Sequence, residues 1–227
     1  MSRVRAALAT ALVGLTALTA CSSSSDKPDS ASDSGGNKPV SSSPAPKPIT
    51  KELSQAHLTQ ALLGDGETLP RYTLHGDKST TEGPYCNKTD DDSTPKGWVR
   101  GSDVDYEYNG STVNMGFLHI CLFDTAEDAH SAYASWKGHE TSKEQKPKRP
   151  VGDENTLVIN PGASDDSVYG YVRSGRVNIR VKIDGATGGD PSGAQAMLSA
   201  TLKRLQQLQD GKPATVTAAD EQAGARQ

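Results

Sequence analysis

Cys21 has the chemistry and the position of a lipid attachment site. Arg3 and Arg5 precede an apolar run over residues 6–18, and the run ends in Leu18-Thr19-Ala20-Cys21. This order is typical of a bacterial lipoprotein signal, in which the cysteine thiol accepts a diacylglycerol through a thioether before the peptide ahead of it is removed. We therefore predict a signal peptide over residues 1–20 and a lipidated Cys21, carrying palmitate-type chains, at the extracytoplasmic face of the cell membrane.

Two other interpretations of this N-terminal segment remain open. An ordinary secretory signal could carry a cysteine near its cleavage site by chance. A transmembrane helix is disfavoured, because the apolar run has 13 residues and a bilayer core requires about 20.

The other two cysteines, Cys86 and Cys121, form an even pair in a chain that we predict to be exported. An oxidising compartment favours a disulfide between them. Two buried free thiols are the alternative. A metal or redox site is disfavoured, because the sequence has no C-x-x-C, and His119 beside Cys121 raises the number of ligands to two at most.

The sequence contains no recognisable catalytic motif. A nucleophile elbow, a phosphate loop, an EF-hand loop and histidines at metal-binding spacing are all missing. Asp90-Asp91-Asp92 lacks the alternation of a calcium loop, so a solvated turn is the better interpretation. The aromatic residues Trp98, Tyr106, Tyr133 and Trp136 occupy positions where core residues are expected. We predict no catalytic residue, no cofactor and no metal. The five histidines are scattered: His57, His75, His119, His130 and His139.

Composition divides the chain into four segments. Removal of residues 1–20 changes the formal charge from −4 to −6, because two arginines and no acids are lost, and an acidic chain is not expected to bind nucleic acid. Residues 21–49 are dominated by Ser, Asp, Lys, Pro and Gly and are predicted to be a disordered tether. Residues 50–211 are predicted to be one domain. Residues 212–227 show no apolar period and are predicted to be a disordered tail.

The periodicity of the domain predicts helices and strands in alternation. Asn109-Gly110 between two alternating runs is a strong hairpin pattern, because both residues tolerate positive φ. We expect an α+β fold, an antiparallel sheet of about five to six strands with helices on one face. The predicted helices are 54–63, 124–138 and 190–209, and the predicted strands are 71–75, 98–108, 112–123, 156–160, 168–173 and 176–183.

In two of the predicted strands, charged residues alternate with apolar residues, so one face of each strand is charged. Asp103, Asp105 and Glu107 give one strand an acidic face, and Arg180 and Lys182 give another a basic face. These faces could oppose each other across neighbouring strands, where exposed pairs contribute well under about 1 kcal/mol each. A ligand site at these residues is the less favoured alternative.

Several short segments, in their order along residues 54–209, resemble a known family. This order is similar to that of the extracellular sensor-type domain found in actinobacterial lipoproteins and in the ectodomains of some mycobacterial receptor serine/threonine kinases. The resemblance implies an α+β domain outside the membrane that binds an unidentified ligand, and it carries over no catalytic residue. Members of the family often hold two disulfides, whereas this chain can form one. The segments are Ala61-Leu62-Leu63, Leu69-Pro70-Arg71-Tyr72, Cys121-Leu122-Phe123 with the following helix, Val151-Gly152-Asp153-Glu154 and Gly170-Tyr171-Val172-Arg173.

These observations together predict a membrane-anchored extracytoplasmic lipoprotein with a non-enzymatic ligand-binding or sensor-like domain. Its partner would be a small molecule, a lipid, a cell-wall fragment or an envelope protein. One alternative is an envelope assembly or interaction protein without a small-molecule ligand. Another is a hydrolase whose site uses His119, His130 or the acids near Asp153.

Overall fold

The computed structural model describes most of the chain after residue 46, and the described residues belong to one compact unit. The predicted signal peptide, Cys21 and nearly all of the predicted tether lie outside the described residues, as do Asp90, Asp91, Asp92 and His139. The described ranges are 47–86, 93–138, 142–147, 149–162 and 165–225.

Eight antiparallel strands form one open sheet, and four α-helices accompany it. The strand order is β1-β3-β4-β8-β7-β6-β5, with β2 pairing beside β1 on the same edge of β3. The strands are β1 (Tyr72–Leu74), β2 (Ser79–Thr81), β3 (Trp98–Tyr108), β4 (Ser111–Phe123), β5 (Lys143–Gln145), β6 (Glu154–Asn160), β7 (Asp166–Ser174) and β8 (Val177–Ala186). The helices are α1 (Gln55–Ala61), α2 (Ala126–Gly138), α3 (Ser192–Gln209) and α4 (Ala218–Ala225), and short 3₁₀ turns cover Gly83–Cys86 and Thr187–Gly189.

The predicted α+β class, with one antiparallel sheet in a single domain, is confirmed. The sheet has eight strands and not six, because β2 and β5, of three residues each, lie outside the strands that we predicted. The predicted hairpin is present: Asn109 has φ 54° and Gly110 has φ 70°, the positive values that a type I′ turn requires. This turn joins β3 and β4, the longest pair in the sheet.

Helices pack on both faces of the sheet, which differs from the predicted arrangement on one face. Alternate residues of β7 are buried on opposite sides: Val172 joins the main core under α1 and α3, and Tyr171 joins a second core under α2. The Nδ2 of Asn178 on β8 donates to the carbonyl of Ala129 in α2 at 2.8 Å. The central strands therefore bury side chains on both faces, and the second buried face requires a helix of its own.

The ends of the domain extend beyond the predicted boundaries. Ile49 is fully buried and its carbonyl accepts from the backbone N–H of Arg176 at 3.0 Å. At the other end, the structure differs from the predicted disordered tail, because residues 218–225 form α4. Ala218 is buried and donates its N–H to the carbonyl of Glu67 at 2.8 Å. Since α4 buries little apart from this alanine, its sequence shows no apolar period.

Among the described helices, none has the length and apolar character needed to cross a bilayer.

Candidate functional site

One part of the second sheet face carries charged and aromatic side chains, and α2 packs beside it over β7, β8 and the end of β4. Two rows of directly paired residues cross the strands there. The first row is Asp103, His119, Arg180 and Tyr171 on β3, β4, β8 and β7. The second row is Asp105, Phe117, Lys182 and Tyr169 on the same strands. We call these eight residues the charged face.

Arg180 has no charged partner among the described residues. Its guanidinium carbon lies 5.4 Å from the centre of the Trp136 ring of α2, a cation–π distance. The Nε atom of Arg180 is shut off from solvent and makes no hydrogen bond. Buried polar atoms are nearly always hydrogen-bonded. Arg173 and Arg204 also have a buried Nε without a hydrogen bond, but both of them are paired with carboxylates, whereas Arg180 is not.

His119 lies beside Arg180 on the neighbouring strand and is similarly unsatisfied. Its Nδ1 atom is buried without a hydrogen-bond partner. Burial, and then the positive charge of Arg180, lower the pKa of His119 to about 4, while Asp103 opposes the change. The imidazole is therefore neutral at pH 7, and it can donate from one ring nitrogen and accept at the other.

Asp103, on β3, is the acidic residue at one end of the first row. Its Oδ1 accepts hydrogen bonds from Ser79 Oγ at 2.8 Å and Thr81 Oγ1 at 2.6 Å. These hydroxyls point at a carboxylate and not at His119, so they lack the base that activates a serine or threonine nucleophile. Farther along β3, burial and the nearby Asp103 raise the pKa of Asp105 above its ordinary value.

Lys182, in the second row, is already paired. Its Nζ lies 2.8 Å from Asp184 Oδ2, and 5.1 Å and 5.8 Å from the ring centres of Phe117 and Tyr169. The predicted opposition of acidic and basic faces across neighbouring strands is not observed, because β4 lies between β3 and β8. Phe117 and His119 fill the interval, so the acids of β3 form no ion pair with Arg180.

The predicted disulfide between Cys86 and Cys121 is confirmed, with a Cα–Cα distance of 5.9 Å. Both cysteines are fully buried in the second core with Trp136 and Tyr171. The bond holds the turn at Gly83–Cys86 against β4, two residues from His119. Cys121 is thereby unavailable as a metal ligand, and no group of three potential ligands occurs within the described ranges.

The other described histidines bind partners of their own on separate elements. His57 takes part in the N-terminal cap of α1, and His75 Nδ1 lies 3.5 Å from Glu107. His130 Nδ1 lies 2.8 Å from Glu154 Oε1. Asp153 accepts from the N–H of Gly175 at 2.6 Å and from Arg173 at 3.2 Å. These contacts are those of caps and surface ion pairs.

Two open grooves lie elsewhere on the domain. One of about 520 Å³ runs between α2 and β6 and is lined by residues that include His130, Tyr133, Lys137 and Glu154. The other, of about 360 Å³, lies near the end of the β3–β4 hairpin and includes Tyr72, Tyr108 and Asp184. Burial and the neighbouring Tyr108 and Asp184 raise the pKa of Tyr72 to about 12.

The aromatic residues that we assigned to the core pack there. Tyr106 and Trp136 are fully buried, Tyr133 is 6% exposed, and Trp98 is partly buried against the second core. Tyr133 also borders the larger groove. The sequence did not identify Arg180 and His119 as neighbours, although His119 is the polar residue in the otherwise apolar run 117–123.

Comparisons with known proteins support the fold. No protein-family model matches the chain, and no curated protein matches its sequence. A solved structure, the extracellular domain of PknH from Mycobacterium tuberculosis, superimposes with a TM-score of 0.50 at 11% sequence identity. The superposition covers 72% of this chain and 100% of that chain. At this identity the likeness concerns the fold alone, and at that level it supports the resemblance to an extracellular sensor-type domain.

Proposed function

We propose that this protein is a lipid-anchored extracytoplasmic protein whose domain binds a ligand at the charged face and performs no catalysis. The observation that carries the proposal is the direct pairing of Arg180 and His119 on one sheet face, each with a buried nitrogen that has no hydrogen-bond partner. A binding surface often keeps such groups unpaired until the ligand arrives, because the ligand supplies the missing hydrogen bonds.

The proposed location rests on three further observations. Cys21 follows a basic and apolar segment that is typical of lipoprotein signals. The structurally similar domain of PknH is described as extracellular. A disulfide between Cys86 and Cys121 suits an oxidising compartment.

An envelope assembly protein without a small ligand is the second candidate, and it would be expected to expose an apolar patch. The large apolar side chains most exposed in the described ranges are Tyr85, at 64%, and Val113, at 83%. They belong to different elements, the turn at Gly83–Cys86 and the start of β4. Two isolated side chains do not make a patch, so the charged face remains the better-supported binding surface.

The anchor is tested by replacing Cys21 with Ser and fractionating cells of a bacterial host. We expect Cys21→Ser to appear in the soluble extracytoplasmic fraction, whereas the neighbouring variant Ser22→Ala should stay with the membranes. Retention of Cys21→Ser in the membranes would contradict lipid anchoring at this residue.

Ligand binding is tested by placing a photo-crosslinking amino acid at position 117, in the centre of the charged face, of the full-length chain in cells. The matched control carries the same amino acid at position 127, on the exposed side of α2. We expect a defined adduct from position 117 and not from position 127. Equal labelling from both positions, or none from position 117, would refute a binding role for the charged face.

A further inference from the structure

The charged face contains one positive charge that the described residues leave unneutralised. Lys182 is paired with Asp184 at 2.8 Å, and Arg173 with Asp153 and Glu154, each at 3.2 Å. Arg180, between them in sequence, forms no ion pair with a described residue and lies at a cation–π distance from the ring of Trp136. Because a guanidinium is charged at any physiological pH, this position has an unmet requirement for an anion.

The geometry of the guanidinium restricts the kind of anion. The guanidinium carbon of Arg180 lies within cation–π distance of the Trp136 ring, and the Nε–H of Arg180 is left without an acceptor. The planar donors of arginine match two oxygen atoms of one carboxylate or phosphate group in a bidentate arrangement. A halide has no pair of oxygen atoms to match these parallel donors, so an oxyanion fits this group better.

His119 adds a neutral donor beside the arginine. The two residues are direct partners in the β4–β8 register, which places their Cβ atoms about 4.5–5.5 Å apart on one face of the sheet. The oxygen atoms of a single oxyanion can bridge that distance through hydrogen bonds to both side chains. The imidazole is neutral, because burial and Arg180 lower the pKa of His119 to about 4.

The nearest internal anion does not occupy this position. Asp103 lies on β3, on the far side of His119 from Arg180, and its Oδ1 is already engaged by Ser79 and Thr81. The acid that neutralises Lys182 is Asp184, farther along β8. Neither Arg180 nor His119 is therefore hydrogen-bonded to a described carboxylate, and each keeps a buried nitrogen without a hydrogen-bond partner.

We propose that Arg180 and His119 together bind the oxyanion group, a phosphate or a carboxylate, of the ligand that the charged face takes. This inference rests on the proposed binding function and names the chemical class of its ligand. Arg180 supplies the charge and a bidentate pair of donors, His119 supplies a neutral N–H, and Trp136 holds the arginine side chain in place.

The test is a titration of the full-length Cys21→Ser protein with inorganic phosphate and, separately, with acetate, followed by NMR of the Arg180 Nε–H and the His119 ring. We expect saturable shifts of both groups below about 100 mM probe, since a small anion without the rest of its ligand binds weakly. Bound phosphate should also raise the pKa of His119, because a nearby negative charge favours the protonated ring.

Variants separate this site from general attraction of anions to a charged protein. Arg180→Lys keeps the positive charge but loses the planar, bidentate N–H donors of the guanidinium, so phosphate binding should weaken about tenfold. The matched control, Arg149→Gln, removes one positive charge from an exposed position and should change binding less than about twofold. Unfolding midpoints of both variants show whether the fold is retained. His119→Gln, which keeps a side-chain N–H, should weaken binding less than Arg180→Lys.

The outcomes are distinct. Stronger binding of phosphate than of acetate assigns the site to a phosphorylated ligand, and the reverse assigns it to a carboxylate. Absence of saturable shifts with both probes, or equal loss of binding in Arg180→Lys and Arg149→Gln, overturns the oxyanion site. If the titration fails while position 117 still gives its adduct, the binding function stands and only the oxyanion assignment falls.

Discussion

Arg204 of α3 and Glu67 form an ion pair in which Nη2 and Oε2 are 3.0 Å apart and the arginine side chain is 4% exposed. The same guanidinium donates to the carbonyl of Gln60 at 2.8 Å and to that of Val216 at 3.2 Å. Glu67 Oε2 in turn accepts from the N–H of Gly64 at 2.7 Å. One buried arginine therefore joins α3 to the end of α1, to the loop after it and to the C-terminal segment.

We expect Arg204→Ala to lower the free energy of unfolding by about 3 kcal/mol, because it leaves Glu67 without its cation and two carbonyls without a donor. Urea unfolding of the full-length chain measures this change. The adjacent Lys203 provides the control: its Nζ lies 2.6 Å from Glu221, but its side chain is 49% exposed. Lys203→Ala should cost less than about 1 kcal/mol. Similar losses in both variants would show that burial does not strengthen the role of Arg204.

The disulfide is expected to stabilise the domain by restricting the unfolded chain. Cys86 and Cys121 are 35 residues apart in sequence, for which the chain-entropy model gives about 3–4 kcal/mol. The double variant Cys86→Ser/Cys121→Ser should therefore unfold at a clearly lower urea concentration than the oxidised protein. Because both cysteines are fully buried, a reductant should act slowly on the folded protein and quickly in urea. Rapid reduction under native conditions would contradict the buried position of the bond.

Local patterns in the sequence predicted the parts of the fold that depend on local chemistry. Asn109-Gly110 gave the hairpin, because only certain residues adopt positive φ readily. The same reasoning does not show where α2 packs. Its alanines and aromatic residues indicate a buried helix, but they do not indicate which face of the sheet the helix covers. It also fails for β2 and β5, since three residues are too few to show an alternation.

The charged face depends on strand order, which the sequence does not show. Asp103 and Arg180 lie on strands separated by β4 because β8, far along the chain, pairs with β4 and not with β3. His119 therefore becomes the neighbour of Arg180 through a contact between distant segments. One local indication existed, a histidine within the apolar run 117–123, but only the register identifies its partner.

The C-terminal segment is expected to contribute to stability although its sequence resembles a disordered tail. A chain that ends at Gly211 loses the carbonyl of Val216 that accepts from Arg204, the bond from Ala218 to Glu67, and the bonds of Glu221 to Lys203 and Ser199. We expect a loss of about 2–3 kcal/mol in the free energy of unfolding.

A chain that ends at Thr217 is the matched control for this truncation. It keeps the Val216 carbonyl, and Ala214 and Val216 still pack against the main core. Its loss should be about 1 kcal/mol. Thermal unfolding of the two truncated chains, compared with the full-length chain, measures both values. Unchanged stability of the shorter chain would contradict a structural role for residues 212–225.

Protonation of His119 is expected to make the domain less stable in mild acid. The folded state keeps the ring neutral down to a pKa of about 4, because burial and the charge of Arg180 disfavour the imidazolium. In the unfolded chain the pKa returns to about 6.5. Between these values the unfolded state binds more protons than the folded state, so the free energy of unfolding falls as the pH is lowered.

The stabilisation from neutral His119 is thus complete above about pH 6.5 and is lost progressively toward pH 4, by roughly 3 kcal/mol at most. Urea unfolding of the wild-type protein and of His119→Gln at several pH values between about 7 and 5 measures this loss of stability. Most carboxylates titrate below this pH range. We expect the difference in stability between the two proteins to shift in favour of His119→Gln as the pH falls. If the difference in stability between the two proteins is independent of pH, His119 accepts a proton as readily in the folded protein as in the unfolded chain. Arg180 would then not hold the ring neutral.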